Sequence, residues 1–201
     1  MTLREPHKPS YKQASKDALF LILRPLVRWL SIMRVRPDTL TVIGWTLALF
    51  SAVLFGLGYA RIAGAVMLFG GLFDALDGAV ARESNRMSSF GAFLDSTLDR
   101  LSESAVFVGL IFYYASSARP YEALLAAVAM TFSLLTSYAR ARAEGLNIDC
   151  KVGLLERAGR VVILSVFSIV GLPTVGLGLL AAGALVTTAQ RILHVRRASR
   201  G

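Results

Sequence analysis

DALDGAVARESNRMSSFGAFLDSTLD, residues 74–99, places four aspartates, Asp74, Asp77, Asp95 and Asp99, in a largely apolar setting. On a helix Asp74 and Asp77 stand at i and i+3, and Asp95 and Asp99 at i and i+4, so each pair shares a face. Gly78 follows Asp77 beside the first pair, and Arg82 lies one turn further on. Two facing helices of this kind would offer four carboxylates to one point. Four uncompensated negative charges in a low-dielectric setting are prohibitive, so the cluster calls for cations. Ligands that are all oxygen suit hard ions, Mg²⁺ with Mn²⁺ as the alternative, and four carboxylates suit two of them.

The rest of the 201-residue chain says where such a cluster would sit. It is 55% hydrophobic, with a mean hydropathy of +0.58, and several windows approach the length of a membrane span. The expected fold class is all-α: a polytopic membrane protein with six transmembrane helices preceded by an amphipathic interfacial helix. The spans fall at about 40–59, 62–82, 89–115, 120–143, 154–171 and 174–194. Residues 1–35 read as a tail and juxtamembrane helix, 36–196 as the transmembrane domain and 197–201 as a C-terminal tail. Within Tyr11–Met33, Leu19, Ile22, Leu23, Leu26, Leu30 and Met33 line one face, Arg24 and Arg28 lie opposite, and Pro25 kinks the helix. That pattern suits a helix on the cytoplasmic leaflet or one packed on the protein's own flank. No short apolar core followed by a small-residue cleavage site marks a signal peptide.

The net charge of +9 could point to nucleic acid, but the bases lie between hydrophobic spans and not on a soluble face. The expected partners are therefore membrane lipids and phosphorylated substrates, with no nucleic acid. The bases cluster in the amino-terminal segment, the 82–88 loop, the 140–160 region and the tail. Arg61 and Arg119 face the other way, and Arg100 lies within a span. By the positive-inside rule, both termini and the aspartate stretch are cytoplasmic, in a multi-pass protein of the plasma membrane. The single cysteine, Cys150, excludes an intramolecular disulfide and a cysteine metal cluster, and His7 and His194 are too far apart to suggest a histidine site. Gly71 with Ala75 and Gly178 with Ala182 have the spacing of helix-packing pairs.

A second constellation lies downstream. Ser137, Arg140 and Arg142 precede Arg157 and Arg160, and Gln190-Arg191 follows on the last span. These arginines reach the depth of the aspartates from three elements, which favours a pocket for an anionic acceptor; the planar guanidinium fork binds phosphate oxygens in pairs. At the start of the first span, Pro37 breaks the preceding helix and Asp38 or Thr39 can cap the next. A helix N-terminus there suits an anionic ligand as well.

The spacing D-x2-D-G-x2-A-R-x8-G-x3-D-x3-D, carried here by Asp74, Asp77, Gly78, Ala81, Arg82, Gly91, Asp95 and Asp99, resembles the signature of the CDP-alcohol phosphatidyltransferase family. The resemblance covers nearly the whole chain from about residue 36. It implies transfer of a phosphatidyl or archaetidyl group from a CDP-lipid to an alcohol, with release of CMP. It implies that the four aspartates hold two Mg²⁺ ions and that Asp99 is the base for the acceptor hydroxyl. Arg36, Pro37, Asp38 and Thr39, together with Gly78, Arg82 and Ser88, match positions that contact the CDP-lipid donor. Homodimers are common in such proteins. The run S-Y-x-[KR]-A-R-A-E, then E-R-x-x-R and a final Q-R, looks like the phosphatidylinositol phosphate synthase branch, with archaetidylinositol phosphate synthases close to it. In that branch the basic residues hold the phosphate of inositol 1-phosphate, which implies that role for Ser137, Arg140, Arg142, Arg157, Arg160 and Arg191. Gly159 stands where an acid is expected in that pattern, which removes a local ion-pair partner and leaves both arginines. The other acceptor to consider is glycerol 3-phosphate. A metal-dependent intramembrane prenyltransferase would lack the D-G-x2-A-R core and the Pro37 turn, and a cation transporter would place its carboxylates at mid-membrane.

Overall fold

The computed structural model of the chain describes residues 24–33, 35–84 and 88–199. Among these residues there are seven helices and no strand: α1 over 24–32, α2 Pro37–Gly56, α3 Ala60–Glu83, α4 Ser89–Ser116, α5 Pro120–Glu144, α6 Arg157–Ile169 and α7 Pro173–Ala198. Prolines open α2, α5 and α7, at a position where a missing N–H costs no helical hydrogen bond. Ser88 caps α4, its hydroxyl accepting from the Gly91 N–H at 2.9 Å. The start of α2 departs from expectation. Arg36 is the cap residue and no side chain caps the helix, so Asp38 and Thr39 do not play that part. Asp38 already lies inside the first turn, two residues past the cap position.

α2 packs on α3 and α4, α3 on α6, α6 on α7, α7 on α5, and α5 on α4, which closes the six longer helices into a ring. The α2–α4 crossing is very close: a Cβ on Gly109 would run into the Ala52 carbonyl. The main core, with Phe55, Val106, Phe107, Leu110, Leu164, Leu177 and Leu180, fills the part of the ring away from the aspartates. A smaller cluster of Val27, Leu40, Leu76, Ala79 and Val80 lies beside them. Val27 thereby ties α1 to the protein's flank, while Leu26, Trp29, Ile32 and Met33 stay exposed. The buried face of α1 therefore centres on Val27 and not on Leu26 and Met33; residues 19–23 of the expected face lie outside the described residues. Gly71 packs on α6, where an added Cβ would stand 3.2 Å from Val161, but nothing lies within 4 Å of such an atom on Gly178, so the second small-residue pair makes no contact there.

The outer surface is oily, with Phe50, Phe69, Phe112, Leu124 and Leu179 among its exposed side chains. Exposed large apolar side chains on five of the helices suit a membrane-contacting surface. α2, α3, α5 and α7 are long and apolar enough to cross a membrane. The chain is an all-helical membrane protein. α4 has the length, 28 residues, but carries Asp95, Asp99, Arg100 and Glu103 in one stretch. α6 has 13 residues, roughly 20 Å of helix, shorter than the expected 154–171.

Candidate active site

α3 and α4 flank α2 and are held apart by it, so the aspartate pairs do not sit on two helices packed along each other. The cleft between them is closed by the first turn of α6. Its first residue, Arg157, places Nη1 2.9 Å from Asp74 Oδ2 and 2.7 Å from Asp99 Oδ1. Asp77 is buried and accepts a hydrogen bond from the Thr41 hydroxyl of α2 at 2.6 Å. Asp74 and Asp95 both act electrostatically on Asp77 and on Asp99, which joins the four carboxylates into one cluster. Gly44 of α2 makes room for it: a Cβ there would stand 2.8 Å from Asp74 Oδ1.

Three recesses meet at this cluster. The first, of about 200 Å³, lies between α2, α3 and the start of α4 and is lined by Pro37, Asp38, Thr41, Asp77, Gly78, Arg82, Ser88, Gly91 and Asp95. The second, of about 380 Å³, is polar and is lined by Asp95, Asp99, Glu103, Ser137, Arg140, Glu156, Arg157, Arg160 and Arg191. The third is an apolar groove between α3 and α6, of about 690 Å³, walled by Leu68, Phe69, Leu72, Val161 and Val162 and ending on Asp74 and Arg157. Asp95 is common to the first two, and Arg157 to the last two.

The expected donor-side residues thus come together in part. Pro37, Asp38, Gly78, Arg82 and Ser88 line the first recess; Arg36 and Thr39 are exposed and outside it, and Thr41 takes the inward position. On an α-helix that opens at Pro37, Thr41 lies one turn below Pro37 and Thr39 points away.

The arginines differ among themselves. Arg140 pairs with Glu144 at 2.8 Å. Arg142 is exposed and does not line the polar pocket, since one helical face cannot hold both i and i+2. Arg160 is 2% exposed and forms a fork with Glu103, Nε to Oε1 at 2.6 Å and Nη2 to Oε2 at 2.9 Å, with Ser137 3.2 Å from the same Nη2. Arg191 is 4% exposed, and its hydrogen bonds, at 3.0 and 2.5 Å, end on the main-chain carbonyls of Val152 and Thr136. α4 therefore presents Asp99 and Glu103, one turn apart, to Arg157 and Arg160, one turn apart on α6. This ladder supplies the acids that Gly159 leaves out of the local sequence. Glu103 and Gly44 were not singled out from the sequence, where only the i+4 spacing of Glu103 from Asp99 hints at its place.

As the side chains stand, no three acidic, histidine or cysteine groups among the described residues share one coordination sphere. Asp74 and Asp99 are turned onto Arg157, and Asp77 onto Thr41. The donor set nonetheless fits divalent cations: it is all hard oxygen, and a cation, Arg157 Nη1, already sits between two of its carboxylates.

Comparison with known proteins agrees with this geometry. Residues 34–190 match the family described as CDP-alcohol phosphatidyltransferase. The chain is 36% identical over 189 residues to the phosphatidylinositol phosphate synthase of Mycobacterium tuberculosis, covering 89% of this chain and 87% of that protein. It is 36% identical over 165 residues to the archaetidylinositol phosphate synthase of Methanothermobacter thermautotrophicus, covering 79% and 82%. Its structure resembles crystal structures of the M. tuberculosis phosphatidylinositol phosphate synthase, at 34% identity. With CDP-DAG bound, that structure gives a TM-score of 0.77 over 85% of this chain and 92% of the other. In complex with manganese and citrate, it gives a TM-score of 0.77 over 85% and 87%. The aspartate signature, the three recesses that meet on it and these likenesses place the chain in the CDP-alcohol phosphatidyltransferase family, as an enzyme of that type.

Proposed function

We propose that the chain transfers the phosphatidyl, or archaetidyl, group of a CDP-lipid to inositol 1-phosphate and releases CMP. The observation that carries the choice of acceptor is Arg191. It is a buried guanidinium whose hydrogen bonds end on uncharged carbonyls, at the edge of a polar pocket that opens on the aspartates. A buried guanidinium hydrogen-bonded to carbonyls, in a pocket it shares with Arg140, Arg157 and Arg160, favours an anion there, and a phosphate fits that need. Ser137, Arg140 and Arg157 are the other groups we assign to that phosphate. Arg160, saturated by Glu103, holds the pocket wall.

In this reading the nucleotide end of the donor occupies the recess of Pro37, Asp38, Thr41, Gly78, Arg82 and Ser88, where Arg82 meets the pyrophosphate and Gly78 lets it approach the helix. The lipid leaves along the apolar groove between α3 and α6. Asp74, Asp77, Asp95 and Asp99 hold two Mg²⁺ ions, with Mn²⁺ as the alternative. Bound there, the cations stabilise charge on the pyrophosphate oxygens. Asp95, shared by both recesses, sets donor and acceptor against each other. Asp99 accepts the acceptor hydroxyl's proton on a carboxylate oxygen left free for it. The hydroxyl oxygen then bonds to the lipid-side phosphorus as the bond from that phosphorus to the CMP oxygen breaks.

We also assign six spans, α2 to α7, with α1 and the residues before it at the interface. Asp99 and Glu103 of α4 are paired inside the ring with Arg157 and Arg160, which supports its crossing as a span. Arg82, Arg140, Arg142, Arg157, Arg160, Arg191, Arg196 and Arg197 gather at the aspartate end against Arg61 and Arg119 at the other. That bias supports a plasma-membrane protein with a cytoplasmic site and termini. A homodimer is the assembly we expect.

The test is an acceptor panel. The purified chain, with CDP-diacylglycerol and Mg²⁺, is given inositol 1-phosphate, free inositol or glycerol 3-phosphate, and CMP release is followed. Release dependent on inositol 1-phosphate is expected; equal or faster release with glycerol 3-phosphate would reassign the acceptor.

A further inference from the structure

Arg157 belongs to two sites at once. Its Nη1 bridges Asp74 Oδ2 and Asp99 Oδ1, while its Nε is buried and has no hydrogen-bond partner. The side chain lines both the groove that ends on Asp74 and the polar pocket of Ser137, Arg140 and Arg191. One end of the guanidinium is thus fully engaged by carboxylates, and the other is left short of an acceptor.

A divalent cation at the cluster needs the oxygens that Nη1 holds. Two positive groups cannot crowd onto one pair of carboxylate oxygens without repulsion. We propose that Arg157 is an exchangeable counter-ion: a divalent cation at Asp74 and Asp99 releases its guanidinium into the polar pocket, where it pairs with the phosphate of the acceptor. The cation thereby completes the acceptor site, and Arg157 acts as the positioning link between the two. This rests on the acceptor-phosphate reading of the polar pocket given above. Coupling of this kind is reciprocal, so the acceptor phosphate must also tighten cation binding.

The exchange differs from two simpler arrangements. If Arg157 were a fixed structural bridge, its removal would expose like charges and weaken the fold without linking the two ligands. If it were a fixed acceptor ligand, its removal would weaken acceptor binding equally with and without cation. Only an exchanging guanidinium makes acceptor binding depend on the cation through this one residue.

The experiment uses the full chain in detergent without CDP-lipid. Free Mn²⁺ is read by its EPR signal, and inositol 1-phosphate binding is measured by calorimetry with and without Mn²⁺. For the wild type, Mn²⁺ should tighten inositol 1-phosphate binding by roughly tenfold or more, the effect of gaining one charge-assisted pair. Arg157→Gln should bind Mn²⁺ more tightly than the wild type, and its inositol 1-phosphate affinity should no longer respond to Mn²⁺. Arg191→Gln should weaken inositol 1-phosphate binding and leave Mn²⁺ affinity as it was. Mn²⁺ binding that is unchanged or weaker in Arg157→Gln would overturn the proposal. So would tighter Mn²⁺ binding with the Mn²⁺ response of the acceptor retained, because Arg157 would then act only as a fixed field. Should Arg157→Gln fail to fold, Arg157→Lys takes its place, with tighter Mn²⁺ binding and a reduced acceptor response expected and the same overturning results. If the wild type binds no inositol 1-phosphate in either condition, the acceptor reading falls by itself, and the Mn²⁺ affinities of the variants still decide whether Arg157 competes for the carboxylates.

Discussion

Replacing Glu103 tests whether the α4–α6 ladder builds the acceptor pocket. Glu103 and Arg160 are 6% and 2% exposed and meet as a fork at 2.6 and 2.9 Å. Glu103→Gln keeps the shape and one acceptor oxygen but leaves the guanidinium buried without its counter-charge. Removing one member of a buried pair costs about 3–5 kcal/mol, most of it the penalty on the charge left behind. Ser137 is the neighbour 3.2 Å from Arg160 Nη2, and a hydroxyl recovers only part of that loss, roughly 1 kcal/mol. The expected result is a fold weakened by about 2–4 kcal/mol, read by thermal unfolding of the detergent-solubilised protein. Because Arg160 and Ser137 both line the polar pocket, the acceptor KM should rise while the donor KM stays near its wild-type value. The double change Glu103→Gln with Arg160→Met removes both charges and should unfold closer to the wild type than Glu103→Gln alone. A Glu103→Gln protein as stable as the wild type, with an unchanged acceptor KM, would refute the reasoning.

Asp74→Asn and Asp95→Asn should each abolish turnover while the protein still elutes as a folded species. EDTA should do the same reversibly, with Mg²⁺ or Mn²⁺ restoring the rate; undiminished activity in metal-free buffer would contradict this. Arg140→Ala should raise the acceptor KM roughly tenfold through loss of a charged partner, whereas Arg142→Ala, outside the pocket, should stay within about twofold. Initial rates across an inositol 1-phosphate series separate the two. Gly44→Ala puts a methyl 2.8 Å from Asp74 Oδ1, so it should lower the rate with little change in unfolding temperature, and a fully active variant would show that the carboxylate has slack.

The parts of the site that were legible in the sequence are local ones. Asp74 with Asp77 and Asp95 with Asp99 are set by helical spacing, and the same spacing put Arg157 and Arg160 on one face. What the sequence left open depends on how the ring closes. Thr41 meets Asp77 across 36 residues of chain, Arg160 meets Glu103 across 57, and Arg191 reaches Thr136 across 55. No local pattern carries these pairings. For that reason Arg160 could be read from the sequence without the Glu103 that pairs with it, and Thr39 be named where Thr41 turns inward. The bias of positive charge toward one end was readable directly. The brevity of α6 was not, since Leu154 and Leu155 extend the apolar pattern ahead of its first residue, Arg157, and Val170 follows its last, Ile169.

In the proposed reaction the aspartate cluster, flanked by a nucleotide recess and an arginine-lined pocket, joins a CDP-lipid to inositol 1-phosphate. The most direct measurement is of products. The purified chain is incubated with CDP-diacylglycerol, inositol 1-phosphate and Mg²⁺, and CMP and lipid are quantified together by mass spectrometry. One phosphatidylinositol phosphate per CMP is predicted, with both absent in Asp99→Asn. CMP formed without a matching inositol-containing lipid, or product formed at the wild-type rate by Asp99→Asn, would contradict the account.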